Sequence, residues 1–224
     1  MKSNRILVGV FAKFPEAGRV KTRLAPLLGH TDCALLAEYL LLSTLDRLSA
    51  DSNFVQHADL VLWTDGGSDG TWRKLLARSK FDHSNMARRQ QVSGHLGLRM
   101  QSALADQLNT SECSVLIGPD AIALQADDIL QLAKATELSG VGFIPAEDGG
   151  YVAVACRQLY PTMFSEHIAW GTATVASTTQ ERLLLEGVNA SWSGTQADLD
   201  EPEDYLRALQ SGLIPNNWAD VYAR

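Results

Sequence analysis

Short runs of apolar residues alternate along the chain with longer stretches in which apolar positions recur every three or four residues. Ile6 to Phe11 is a run of apolar or small residues, too short for a helix and the right length for a buried strand. Asp59 to Thr64, Cys113 to Gly118, Val141 to Pro145 and Tyr151 to Cys156 read in the same way. Arg88 to Val92 reads as a polar edge strand and Ala190 to Ser193 as a short one. Between them, Leu35, Leu36, Tyr39, Leu40, Leu42 and Leu45 give a broad apolar face to a helix capped by Thr31 and running to about Ser49. Leu96, Met100, Leu104 and Leu108, at intervals of four, mark a second helix. Shorter helices are expected over Trp72 to Arg78, Asp127 to Leu138 and Ser177 to Leu185. A last one opens at Pro202, the first-turn position proline favours, and runs to about Ser211. The tail, with Pro215 and Trp218, is expected to pack back on the surface.

Strands alternating with helices predict an α/β fold, a three-layer α/β/α sandwich around a mainly parallel sheet. No linker, internal repeat or low-complexity segment interrupts the pattern, so residues 1–224 are expected to form a single domain. In such sheets ligands sit beyond the carboxyl ends of the strands. That rule brings three regions to one edge: the loop after the first strand, the residues after Cys113 to Gly118, and the loops about Asp148 and Asp200.

Composition narrows the partners. The formal charge of -7 makes the molecule repel polyanions, so no nucleic acid partner is expected, while a small anion at a local basic site is allowed. Cys33, Cys113 and Cys156 are far apart and form no metal-like cluster, which suits buried thiols in a reducing compartment. The longest apolar stretch, Ala34 to Leu48, contains Glu38 and Asp46, so no membrane span is expected. Together these predict a cytoplasmic protein.

The local chemistry begins in the loop after the first strand. Lys13, Arg19, Lys21 and Arg23 stand there against one acid, Glu16, with Pro15 and Gly18 shaping the turn. Such a loop can surround phosphates with backbone N–H groups, ammonium and guanidinium. Asp120 directly follows an uncharged strand and is either a turn cap or a hard oxygen ligand for Mg²⁺, an ion usually held by one or two carboxylates plus substrate phosphates. Asp198, Asp200, Glu203 and Asp204 form the densest acid cluster. An extended Ala197 to Asp200 would turn Asp198 and Asp200 the same way. Asp200 is the preferred second metal carboxylate, with Asp198 as its substitute. Glu203 and Asp204 fall in a first helical turn, where acids are favoured with no function needed. Asp148, Gly149 and Gly150 make either a tight turn or a place where a substrate approaches the backbone and Asp148 grips it. Trp170 reads as core or pocket wall. A Walker loop, a dinucleotide fingerprint and a serine-hydrolase elbow are all absent from the sequence.

In order along the chain, FAKFPEAGRVKTRLAP, QVSGHLGLRM, LIGPD, PAEDGGY, IAW and DLDEPEDY resemble the motifs of a bacterial family of glycosyltransferase-A-like proteins, DUF2064. That family is similar to 2-phospho-L-lactate guanylyltransferase and, more remotely, to the molybdenum-cofactor guanylyltransferase. The resemblance implies the nucleotide-diphospho-sugar transferase fold, a GT-A-like and Rossmann-like sandwich. It also implies a Mg²⁺- or Mn²⁺-dependent nucleotide site and transfer of a nucleotidyl or glycosyl group. It maps the basic loop onto Lys13, Gly18, Lys21, Thr22 and Arg23, the metal carboxylate onto Asp120, the Asp-Gly-Gly onto Asp148, Gly149 and Gly150, and the C-terminal acid pair onto Asp198 and Asp200. The family pattern Gly-Ser-Asp-Cys/Ser-Pro-x-Leu becomes Gly118-Pro119-Asp120-Ala121-Ile122-Ala123-Leu124 here. Pro119 fixes φ and removes a backbone donor beside Asp120.

The expected activity follows from both lines. A nucleoside triphosphate or nucleotide sugar binds at the strand ends, with Lys21, Arg23 and Asp120 as the catalytic groups and Lys13, Gly18 and Thr22 completing the phosphate site. A small-molecule acceptor binds near Asp148, Gly149, Gly150 and Trp170. The alternative is a nucleotide-binding regulatory protein on the same fold that has lost turnover through the change at Pro119 to Ile122.

Overall fold

The computed structural model describes residues 2–222. Seven strands form one sheet among the described residues: β1 (Ile6–Lys13), β2 (Ala58–Asp65), β3 (Ala87–Gln90), β4 (Ser114–Ile117), β5 (Val141–Pro145), β6 (Tyr151–Cys156) and β7 (Ser191–Trp192). Their order is β3-β2-β1-β4-β6-β5-β7. β6 runs antiparallel to β4 and β5, and the other pairs are parallel. The helices are α1 (Ala25–Ala50), α2 (Ser52–His57), α3 (Asp69–Leu76), α4 (Leu96–Leu108), α5 (Ala126–Ser139), α6 (Val175–Leu185) and α7 (Pro202–Gln210).

Alternation along the strands divides the core into two layers. Val8, Val10 and Ala12 of β1 face α1, α2, α3 and α5 through Leu41, Leu45, Phe54, Trp72 and Ile129. Leu7 and Phe11 turn to the other face, toward Met100 and Leu104 of α4 and Leu183 of α6. Both faces are covered, which is why β1 and β4 read as unbroken apolar runs. The expected three-layer α/β/α sandwich is therefore the fold. A third cluster joins Leu24, Leu36, Ile122, Leu199, Tyr205 and Trp218, so the tail does pack back, as the sequence predicts. Among the described residues no helix is long and apolar enough to cross a membrane.

Several boundaries differ from the sequence reading. α1 starts at Ala25 rather than Thr31, but Gly29 at φ 78° and ψ 159° breaks it just ahead of Thr31. α3 starts at Asp69 rather than Trp72, because the Ser68 hydroxyl accepts from Thr71 N and caps a helix inside what reads as a turn. β3 spans Ala87–Gln90 rather than Arg88 to Val92. α2 has no counterpart in the sequence reading; the Asp51 side chain caps it by accepting from Phe54 N at 2.8 Å.

β1 lies where the strand order reverses, with β2 on one side and β4 on the other. The loops leaving β1 and β4 diverge there and open a crevice at the carboxyl edge.

Candidate functional site

Two apolar residues pin the loop after β1: Val20 and Leu24 are buried, and the charged residues around them project. Gly18 sits at φ 81° in open space, a conformation that suits glycine alone. Lys21 is different. At φ 49° and ψ 37° it is the single non-glycine residue with positive φ among the described residues. Its side chain is only 4% exposed, and Nζ lies 2.8 Å from Asp120 Oδ2 and 3.6 Å from Asp200 Oδ1. The same ammonium donates to the Leu199 carbonyl.

Asp120 and the segment around Asp200 are also joined directly, because Leu199 N donates to the Asp120 carbonyl at 3.1 Å. Three segments far apart in sequence thus close on one ammonium. The β4 loop is held from behind by α1: Thr44 Oγ1 donates to the Pro119 carbonyl and Arg47 Nη1 to the Ile122 carbonyl. Ile122 is buried against Leu24 and Leu199. The unusual Pro119 to Ile122 sequence therefore leaves Asp120 facing the cleft, and Ile122 supplies an apolar anchor. Asp200 is further paired with Arg23, Nη1 to Oδ2, at 2.9 Å. Asp204 accepts from the backbone of Asp200 and Glu201 and caps α7, the structural role expected of it.

A cavity of about 400 Å³ opens beside this clasp. Lys13, Arg19, Lys21, Thr22, Arg23, Asp120 and Asp200 line it, together with Gln91 and Arg99. Gln91 ties the ends of β1 and β2, donating to the Ala12 and Trp63 carbonyls, and accepts from Arg99 with its other atom. Arg99 also bonds Asp65 at 2.8 Å and lies against the Phe11 ring. Sequence reasoning gave neither residue a role. The available signal was the motif QVSGHLGLRM, which opens on Gln91 and carries Arg99 between the apolar positions Leu96 and Met100 of α4.

A second cavity of about 210 Å³ adjoins the first, and Leu96 and Asp120 line both. Its walls include Met100, Tyr151, Trp170 and Val175, its polar groups Asp148, Asp198 and Thr172, and no Lys or Arg. Asp198 and Asp200 thus line different cavities. Burial and then the nearby Asp148 push the Asp198 carboxyl up to about 6. The Tyr151 hydroxyl is buried with no partner among the described residues. Trp170 is a wall, as expected: its ring packs where a Cβ on Gly97 would be 2.4 Å away.

One expectation is corrected. The space above Gly149, at φ 88°, is filled by the chain itself: a Cβ there would come 2.1 Å from the Ala173 carbonyl oxygen. Gly150 N donates to Asp148 Oδ1 at 2.8 Å. The two glycines set a turn and its docking against the residues before α6; Gly150 alone lines the second cavity.

A family model described as an uncharacterized protein conserved in bacteria, DUF2064, matches residues 44–172, more than half of the chain. The chain belongs to this DUF2064 family. No curated protein matches it. Among solved structures, the DUF2064 chain is similar to a protein of Desulfovibrio desulfuricans proposed as a nucleotide-diphospho-sugar transferase, at 24% identity and TM-score 0.82, covering 99% of this chain and 94% of that one. It is also similar to 4-diphosphocytidyl-2C-methyl-D-erythritol synthase of Anaerococcus prevotii, at 13% identity and TM-score 0.60, covering 94% and 97%. A Mycobacterium tuberculosis protein in complex with manganese matches at 18% identity and TM-score 0.50, covering 93% and 100%. The DUF2064 chain therefore has the nucleotide-diphospho-sugar transferase fold.

Proposed function

We propose that this chain is a divalent-metal-dependent transferase that moves a nucleotidyl or glycosyl group from a nucleoside triphosphate or nucleotide sugar to a small hydroxylated acceptor. The observation that carries the reading is the meeting of Lys21 with Asp120 and Asp200 at the wall of a cavity lined by four further cations, Lys13, Arg19, Arg23 and Arg99. Polyphosphate matches that lining in charge and in the kind of donor it offers, ammonium and guanidinium.

The donor set fits a hard cation. Two carboxylates already share one positive charge, the Lys21 ammonium, and Asp120 and Asp200 are partly exposed toward the cavity. Among the described residues no three His, Cys, Asp or Glu side chains gather to hold a metal alone. Mg²⁺ commonly takes one or two carboxylates and completes its shell with phosphate and water, so Asp120 and Asp200 are the residues that would hold it or Mn²⁺. The manganese complex of a protein with this fold supports the choice. When bound, the ion neutralises charge developing on the phosphates.

Lys13, Thr22, Arg23 and Arg99 hold the polyphosphate, and Lys21 and Arg23 stabilise the leaving group. Asp148 and Asp198 accept hydrogen bonds from the acceptor and aim one hydroxyl at the donor, with Trp170 and Met100 against its apolar face. A cavity with three carboxylates, Asp120, Asp148 and Asp198, and no cation in its lining favours a hydroxyl over a phosphate on that part of the acceptor. Positioning and charge stabilisation suffice, with no covalent intermediate. The alternative of a regulator without turnover loses its main argument, because the Pro119 to Ile122 change leaves Asp120 in the clasp.

The test is a panel of nucleoside triphosphates and nucleotide sugars read by thermal shift, with and without Mg²⁺. A ligand at tens of times its dissociation constant adds about 2 kcal/mol. At least one nucleotide is expected to raise Tm in a Mg²⁺-dependent way; a flat panel would remove the reading.

A further inference from the structure

Lys21 combines three properties that an ordinary phosphate-binding lysine does not need. Its backbone is left-handed, its stem is buried, and its ammonium is spent on Asp120, Asp200 and the Leu199 carbonyl rather than presented to the cavity. A left-handed L-residue persists only when its surroundings hold it there. Here the holding contacts are the two carboxylates proposed for the metal.

An ammonium and a divalent cation cannot both take the space between the same two carboxylates, since two positive charges a few ångströms apart in a partly buried site repel strongly. We infer that Lys21 is the resident counter-ion of the metal site, and that a polyphosphate in the basic cavity must draw its ammonium away before a divalent cation binds Asp120 and Asp200. The lysine lines that cavity as well as the clasp, so both destinations lie within reach of one flexible stem. Arg23 follows the same logic on a smaller scale: it pairs with Asp200 and Glu201 while half exposed to the cavity. The consequence is coupling. Metal alone binds weakly, polyphosphate and metal bind together, and each raises the affinity of the other by the same factor.

The inference rests on the polyphosphate reading of the basic cavity, and its test separates the two. MnCl₂ alone is titrated into the wild type, Lys21→Met, Lys21→Gly and the double variant Lys21→Met with Asp120→Asn, with free Mn²⁺ read by electron paramagnetic resonance. Met keeps the volume of the stem, and Gly adopts the left-handed backbone without strain. Both single variants are expected to bind Mn²⁺ at least tenfold more tightly than the wild type, and Asp120→Asn should abolish the gain. Equal or weaker binding in the single variants overturns the inference. Where pyrophosphate by itself shifts the wild type, MnCl₂ with pyrophosphate should raise Tm by more than the sum of the two given separately, and simple additivity then also overturns the inference. If neither pyrophosphate nor any nucleotide shifts the wild type while the Lys21 variants gain Mn²⁺ through Asp120, the polyphosphate reading falls and the counter-ion role stands.

Discussion

The basic cavity is assembled from the loop after β1, the start of α4 and the segment before α7, and it gathers five cations. The adjoining cavity is assembled from the ends of β5 and β6, the start of α4 and the residues before α6, and it gathers carboxylates among apolar walls. They meet at Asp120 and Leu96. Opposite charge on the two sides orients whatever spans them. On the proposed reading a polyphosphate chain would be drawn to the basic side and repelled by Asp148 and Asp198 on the other, where a hydroxylated group would meet carboxylates with no Lys or Arg in the lining. The contrast would supply direction with no movement larger than that of the Lys21 side chain.

The most damaging way to break this division is to remove the carboxylate common to both halves, Asp120. Asp120→Ala is expected to weaken metal-dependent nucleotide binding by about a hundredfold or more, because a charge-assisted contact and a metal ligand go together. Isothermal titration with and without Mg²⁺ measures it, and unchanged metal-dependent affinity would count directly against the role of Asp120. Removing a residue from one side should be milder and selective. Arg99→Ala takes a guanidinium from the basic cavity and is expected to weaken nucleotide binding by roughly tenfold to a hundredfold, with the acceptor KM unchanged. Asp148→Asn should do the reverse, raising the acceptor KM by about tenfold and leaving nucleotide affinity alone. If both variants altered both parameters equally, the two cavities would be one site rather than two.

How far this contrast could be read in advance depends on how each half is made. The basic side was legible as charge: four cations within Lys13 to Arg23 stand out against an acidic chain. Two buried strands and one helix were legible too, since β5, β6 and α4 have the predicted limits. What could not be read is pairing across distance. Nothing local in Lys21 announces that its ammonium will sit on residues from the β4 loop and from the segment before α7. Arg99 was missed because its helix is defined by its apolar positions, and a single cation among them looks like a surface residue until α4 is docked. Gly149 was misread for a related reason. A glycine reports that something comes close, and only the fold shows that the neighbour is Ala173 rather than a ligand. α2 was missed because Ser52–His57 has little periodicity and forms on the Asp51 cap and the burial of Phe54.

The gentlest probe of the contrast is stability rather than activity. On the basic side each carboxylate is compensated: Asp120 by Lys21, Asp200 by Lys21 and Arg23. On the other side burial and Asp148 raise the Asp198 carboxyl to about 6, above its ordinary value of 3.8. A carboxyl raised in the native state binds more protons folded than unfolded between those two values. It therefore costs nothing below that window, where both states are protonated, becomes destabilising as pH rises through it, and stays destabilising above it. Asp198→Asn should accordingly raise the stability of the metal-free chain at pH 8 by about 1 kcal/mol after allowance for solvent screening, roughly 3 °C in Tm, and change it little at pH 4. Melting curves in EDTA across that range read the difference. A wild type as stable as the variant at pH 8 would mean that the carboxylates of the second cavity are as well compensated as those of the first, and the division of charge between them would lose its energetic support.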